Sequence, residues 1–107
     1  MTVIRHIVFF WLKDKSPANL QDTAERLRGM RGKIEGLVDL EVGVDFLHSE
    51  RSCDIVLSTL FADRAALDAY RTHPVHLPVQ AHMHAVRQSS AAADYEVKAK
   101  ESLGRSV

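Results

Sequence analysis

The chain has 107 residues, enough for one domain and its core but too few for a second. Fourteen basic and fourteen acidic side chains cancel to a formal charge of zero, so no cationic stripe exists to follow a phosphate backbone and nucleic acid is not expected as a partner. The single cysteine, Cys53, excludes an internal disulfide and fits a reducing, cytoplasmic setting.

Taken in chain order, VIRHIVFFWL (3–12) comes first. It is rich in β-branched and aromatic residues and short for a helix, so it reads as a strand. Alternation puts Ile4, His6, Val8, Phe10 and Leu12 on one face and Val3, Arg5, Ile7, Phe9 and Trp11 on the other. The apolar run is interrupted by Arg5 and His6, is too short to span a bilayer and has no small-residue cleavage site. Neither a membrane segment nor a cleaved leader is expected.

Ser16 followed by Pro17 marks a helix start, a hydroxyl cap and then a proline at the first helical position. Leu20, Ala24, Leu27, Met30 and Ile34 recur at helical spacing; Gly29 and Gly32 weaken the end, and Gly36 is the expected stop. LVDLEVGVDF (37–46) alternates, with Val38, Leu40, Val42, Val44 and Phe46 on its apolar side. A polar turn (47–52) leads to a third strand, CDIVLSTLF (53–61), in which Cys53 reads as a small buried side chain. Asp63 caps the next helix, which carries Leu67 and Tyr70 on its inner face. PVQAHMHAVRQ reads helical again, with Val79, Met83 and Val86 on one side. SAAADYEV closes as a fourth strand, with Tyr95 in the sheet core or on an intersubunit face. One domain over 1–97 and a polar tail over 98–107 are expected.

The order β-α-β-β-α-β predicts an α+β, ferredoxin-like protomer: a four-stranded antiparallel sheet with helices on one face. The first strand is apolar on both faces, so the face away from the helices needs a cover. Burying Ile7, Phe9 and Trp11 would contribute roughly 1.5–3 kcal/mol each. A homodimer packed sheet to sheet supplies that cover.

The corner YRTHPVH (70–76) carries the candidate chemistry. Pro74 pushes His73 out of helical geometry, so His73 precedes the following helix and His76 falls in its first turn. That separation, with no cysteine nearby, argues against a metal site. His82 and His84, two apart, point in different directions, and Pro78 is expected to add a further break. On a plain reading the corner is a helix junction. On a sharper one, His76 lies where the helix dipole disfavours imidazolium and keeps a neutral base. Tyr70, one turn earlier, can donate to a carbonyl oxygen. His6 is the polar residue among Ile4, Val8 and Phe10; facing the helices, it would share a layer with Tyr70 and the corner, as in a small-molecule pocket.

IRHIVFFWLKD, IEGLVDLEVGVDF, DIVLSTLFADRAALDAYRTHPVH and DYEV together resemble the stress-responsive dimeric α/β-barrel (Dabb) family over about residues 3–97. The resemblance implies a homodimer whose two sheets close into a barrel. A plant polyketide cyclase of that family performs an aldol condensation without metal or organic cofactor. The resemblance maps its base histidine onto His76, its tyrosine onto Tyr70 and a pocket histidine onto His6. Another pocket histidine of the cyclase corresponds to Ile55, a departure from its pattern.

The expectation is therefore a stress-responsive dimeric α/β-barrel domain protein with a small-molecule pocket and no assigned activity. Its catalytic candidates are His76, Tyr70 and His6. No metal, cofactor or membrane association is expected, and the ligand is a small hydrophobic molecule. The same residues fit a cofactor-free, polyketide-cyclase-like aldol enzyme with a histidine general base, and equally a non-catalytic structural dimer.

Overall fold

β1 (Thr2–Leu12) is one of the two inner strands of the sheet. The computed structural model describes residues 2–98 and adds α1 (Pro17–Arg28), β2 (Leu37–Val44), β3 (Ile55–Phe61), α2 (Arg64–Tyr70), α3 (His76–Val86) and β4 (Arg87–Lys98). The strands form one antiparallel sheet in the order β2-β3-β1-β4, the ferredoxin-like arrangement. β1 pairs with β3 from Ile4 to Phe10 and with β4 along its whole length.

The two faces of β1 divide as alternation requires. Ile4, Phe10 and Leu12 enter the core under the helices, with Val8 packed against it. On the opposite face Ile7 and Trp11 are half-buried and Phe9 is 39% exposed. Tyr95 stands across from Arg5 in the sheet register, which puts it on that same outer face, 45% exposed. Because Ile7 and Trp11 are already partly covered, sealing this face contributes less than a full transfer value per side chain.

Ser16 caps α1 by accepting from the Asn19 amide, and Asp63 caps α2 by accepting from the Ala66 amide at 2.8 Å. α1 stops at Arg28, earlier than Gly36. Met30 and Ile34 still reach the core, from turns. The alternation expected over 37–46 holds only for the buried Leu40 and Val42. A register shift between Leu37 and Asp39 leaves Val38 60% exposed; the strand ends at Val44, and Phe46 is 89% exposed. Cys53 lies before β3 and is half-buried; burial, then Asp45, pushes its thiol up, away from thiolate reactivity. Lys98 belongs to β4; the rest of the polar tail lies outside the described residues.

Gly36 joins the helical and sheet layers. Its φ is +81°, its carbonyl accepts from the Ala62 amide at 2.9 Å, and a Cβ placed there would lie 2.5 Å from the Cβ of Ala66 in α2. Gly36→Ala is expected to destabilise the fold by about 1–3 kcal/mol in urea denaturation. It should cost less when Ala66 is already glycine, a coupling that a double-mutant cycle measures.

Candidate functional site

His6 points under the helices from the middle of β1. Directly opposite it in β4 is Asp94, and directly opposite in β3 is the fully buried Thr59. The His6 Nδ1–H donates to Asp94 Oδ1 at 2.5 Å. That bond places the proton on Nδ1 and leaves Nε2 with its lone pair in the neutral ring. Thr59 Oγ1 donates to the His6 carbonyl at 2.9 Å, holding the backbone from the other side.

Tyr70 ends α2 and is 3% exposed. The chain then turns through the corner, where His73 has a local task. Its carbonyl accepts from the amides of His76 and Leu77 at 2.9 and 3.0 Å, and its Nδ1 accepts from the Val75 amide at 3.0 Å. His73 thus organises the turn that starts α3 at His76. Pro78 does not break this helix. It sits in the first turn, where an amide has no intrahelical acceptor and a missing N–H costs nothing.

The turn lays the His76 ring on Tyr70, with centroids 3.9 Å apart and planes 26° from parallel. The Tyr70 ring meets His6 edge-on at 6.1 Å and Phe61 at 5.0 Å. His6, Tyr70 and His76 line one cavity of about 220 Å³ whose walls include Val8, Leu57 and Met83. The three side chains singled out in the sequence are therefore brought together.

Burial pulls the His76 imidazole below its ordinary value, against the opposing effect of the Arg71 and Tyr70 carbonyls as hydrogen-bond acceptors for the ring; weaker repulsion from His6 and His73 adds to the lowering. Its Nδ1–H donates to the Arg71 carbonyl at 3.3 Å, which leaves Nε2 as the basic nitrogen. Burial alone pushes the Tyr70 phenol up to about 12, so it stays a proton donor throughout the neutral range. A neutral base stacked on a protonated donor suits removal of a proton from carbon and stabilisation of the resulting oxyanion.

Sequence reasoning missed Asp94, Gln80, His84 and Arg87. Gln80 and His84 line the cavity from α3, and Arg87 and Ser90 from β4. Their signal was available: His76, Gln80 and His84 are four apart and share a helical face. His82 is turned away, within 3.4 Å of Thr23 on α1. Among the described residues no group of three or more His, Cys, Asp or Glu side chains is arranged to hold a metal ion.

The family model described as the stress responsive A/B barrel domain, Dabb, matches residues 4–97. The chain belongs to the Dabb family. Dimeric ferredoxin-like proteins of unknown function share its fold. The one from Bacteroides fragilis is 27% identical, covers 89% of this chain and 96% of its own, and has a TM-score of 0.76. That from Thermobifida fusca is 21% identical over 90% and 92% of the two chains, with a TM-score of 0.81. A hydroxynitrile lyase from Passiflora edulis is 14% identical, covers 91% and 94%, and has a TM-score of 0.78. No curated protein matches the sequence. Within this Dabb domain no described helix is long and apolar enough to cross a membrane.

The depressed His76 value has a definite sign. Folding releases its proton, so its contribution to stability is fully present above the unfolded value near ~6.5 and is lost as pH falls through the lower folded value. An NMR titration of the imidazole C–H signals should place the His76 midpoint below that of a free imidazole, and His76→Gln should remove that signal.

Proposed function

We propose that this Dabb protein is a homodimer whose cavity binds a small carbonyl compound and catalyses proton transfer at the carbon next to the carbonyl, without a cofactor. The observation that carries this reading is the Tyr70–His76 stack in a cavity, a neutral base beside a phenol that keeps its proton. His76 Nε2 takes the proton from carbon. The C–H electron pair moves into the carbon–carbon bond as the carbonyl becomes an enolate, and the Tyr70 hydroxyl donates to that oxygen. Attack of such an enolate on a second carbonyl is the aldol step of a cyclase; simple reprotonation is the minimal reaction. His6, fixed by Asp94, orients the substrate through Nε2. The Passiflora lyase, a distant relative in fold, is a case of this architecture serving an enzyme.

One domain over 1–97, a reducing cytoplasmic setting for the lone Cys53 and a role under stress complete the reading. The partly exposed Phe9 and Tyr95 lie on the sheet face that the second protomer would cover, and the related dimeric proteins support that assembly.

A simple methyl ketone such as 2-octanone in deuterated buffer tests the chemistry, with deuterium entering beside the carbonyl and read by NMR. His76→Ala is expected to slow enzyme-dependent exchange by about 10²–10⁴-fold, and Tyr70→Phe by about 10²–10³-fold. Both should retain a cooperative thermal transition. Enzyme-dependent exchange that survives in the folded His76→Ala protein would remove His76 as the base, and no enzyme-dependent exchange by the unaltered chain would leave a binding-only role for the cavity. For the assembly, Phe9→Asp buries a charge in the sheet-to-sheet contact and should give a monomer by sedimentation, where the unaltered chain sediments as a dimer.

A further inference from the structure

The cavity has two chemically different ends. Along β1 its lining runs His6, Val8, Phe10, and opposite in β4 stand Asp94 at the His6 level and Ser90 at the Phe10 level. Four residues of strand separate these levels by about 13 Å. α3 runs the same way, from His76 past Gln80 and His84 to Arg87 at its C-terminal cap, about 16 Å along the axis. Val8 and Met83 lie between. One end therefore holds His6, Tyr70 and His76 with the carboxylate of Asp94. The other holds the guanidinium of Arg87, with His84 and Ser90.

Arg87 is half-buried, and its hydrogen bond goes to the neutral Ser90 hydroxyl. Asp94 is engaged by the His6 ring at the far end, and among the described residues no acidic side chain forms an ion pair with Arg87, so nothing described at that end balances the guanidinium. A partly desolvated cation on a cavity wall favours an anion, and a guanidinium fork matches a carboxylate in shape as well as charge. One permanent cation matches a single negative charge better than a doubly charged phosphate.

We infer that the cavity takes a keto monocarboxylate, with its carbonyl at the Tyr70–His76 end, its apolar chain against Val8 and Met83, and its carboxylate on Arg87 beside His84 and Ser90. This rests on the proton-transfer reading for the carbonyl end alone; the carboxylate seat rests on Arg87.

Calorimetric titration of the full chain with 7-oxooctanoate and with the neutral 7-oxooctanamide separates the two. The acid is expected to bind at least about tenfold more tightly than the amide. Arg87→Met should abolish that preference while leaving amide binding in place, and Arg87→Lys should keep part of it. Equal affinity for acid and amide, or binding of neither, overturns the carboxylate seat. Deuterium exchange at C6 and C8 of the same acid reports the other end. Acid preference without exchange supports the seat and removes the proton-transfer reading; exchange without acid preference overturns the seat and leaves that reading standing.

Discussion

The site depends on the register of β1 between its two neighbours. Side chains alternate faces along a strand, so a slip of one residue would carry His6 from under the helices to the outer surface and bring Arg5 or Ile7 in. The register is held from both sides. Phe10, Leu12, Phe61 and Ile55 interlock in the core, the buried Thr59 hydroxyl reaches the His6 carbonyl, and Asp94 accepts a hydrogen bond from the His6 ring. Packing selects the face, and the cross-strand carboxylate then selects the tautomer.

The second half of the site comes from a different physical source. Tyr70 and His76 belong to two helices, and their stacking is produced by the five residues between them. His73 supplies the acceptors that close that turn, and Pro74 excludes a single continuous helix. Two rings six residues apart then meet face to face. Their burial drives them in opposite directions: the imidazole loses affinity for its proton and the phenol holds its proton more tightly. A single desolvated layer therefore yields both a base and a donor, with burial the largest cause for each.

Much of this is legible in the sequence. Ser16 and Pro17, Asp63, and the two apolar faces of residues 3–12 announce local structure through effects that act within a few residues, and both helix starts and the first strand formed as read, although α1 ends at Arg28 and not at Gly36. Tyr70, His76 and His6 were legible as candidates because polar tips on apolar faces stand out. Asp94 was not, because its meaning comes from β1–β4 pairing across most of the chain. The exposed Val38 was not, because the register shift that turns it outward is a property of two strands together. The α3 stripe was hidden by reading Pro78 as a break, when a proline in the first turn is compatible with a helix that begins at His76.

One junction sets a limit on how this scaffold can change. α3 ends at Val86 and β4 begins at Arg87, with no connecting residue between them. The Arg87 amide still donates to Met83 as the helix cap, and the Val86 carbonyl accepts from the Lys13 amide at 3.0 Å, pinning the joint to the end of β1. An added residue here would rotate the helix and shift the strand register together, disturbing His84, Arg87 and Asp94 at once. The length of the cavity is therefore a constant of the architecture. A change in the cavity's shape must come from exchanging side chains along its walls, while the β2–β3 connection, none of whose residues lines it, is the place where extra residues can be accommodated.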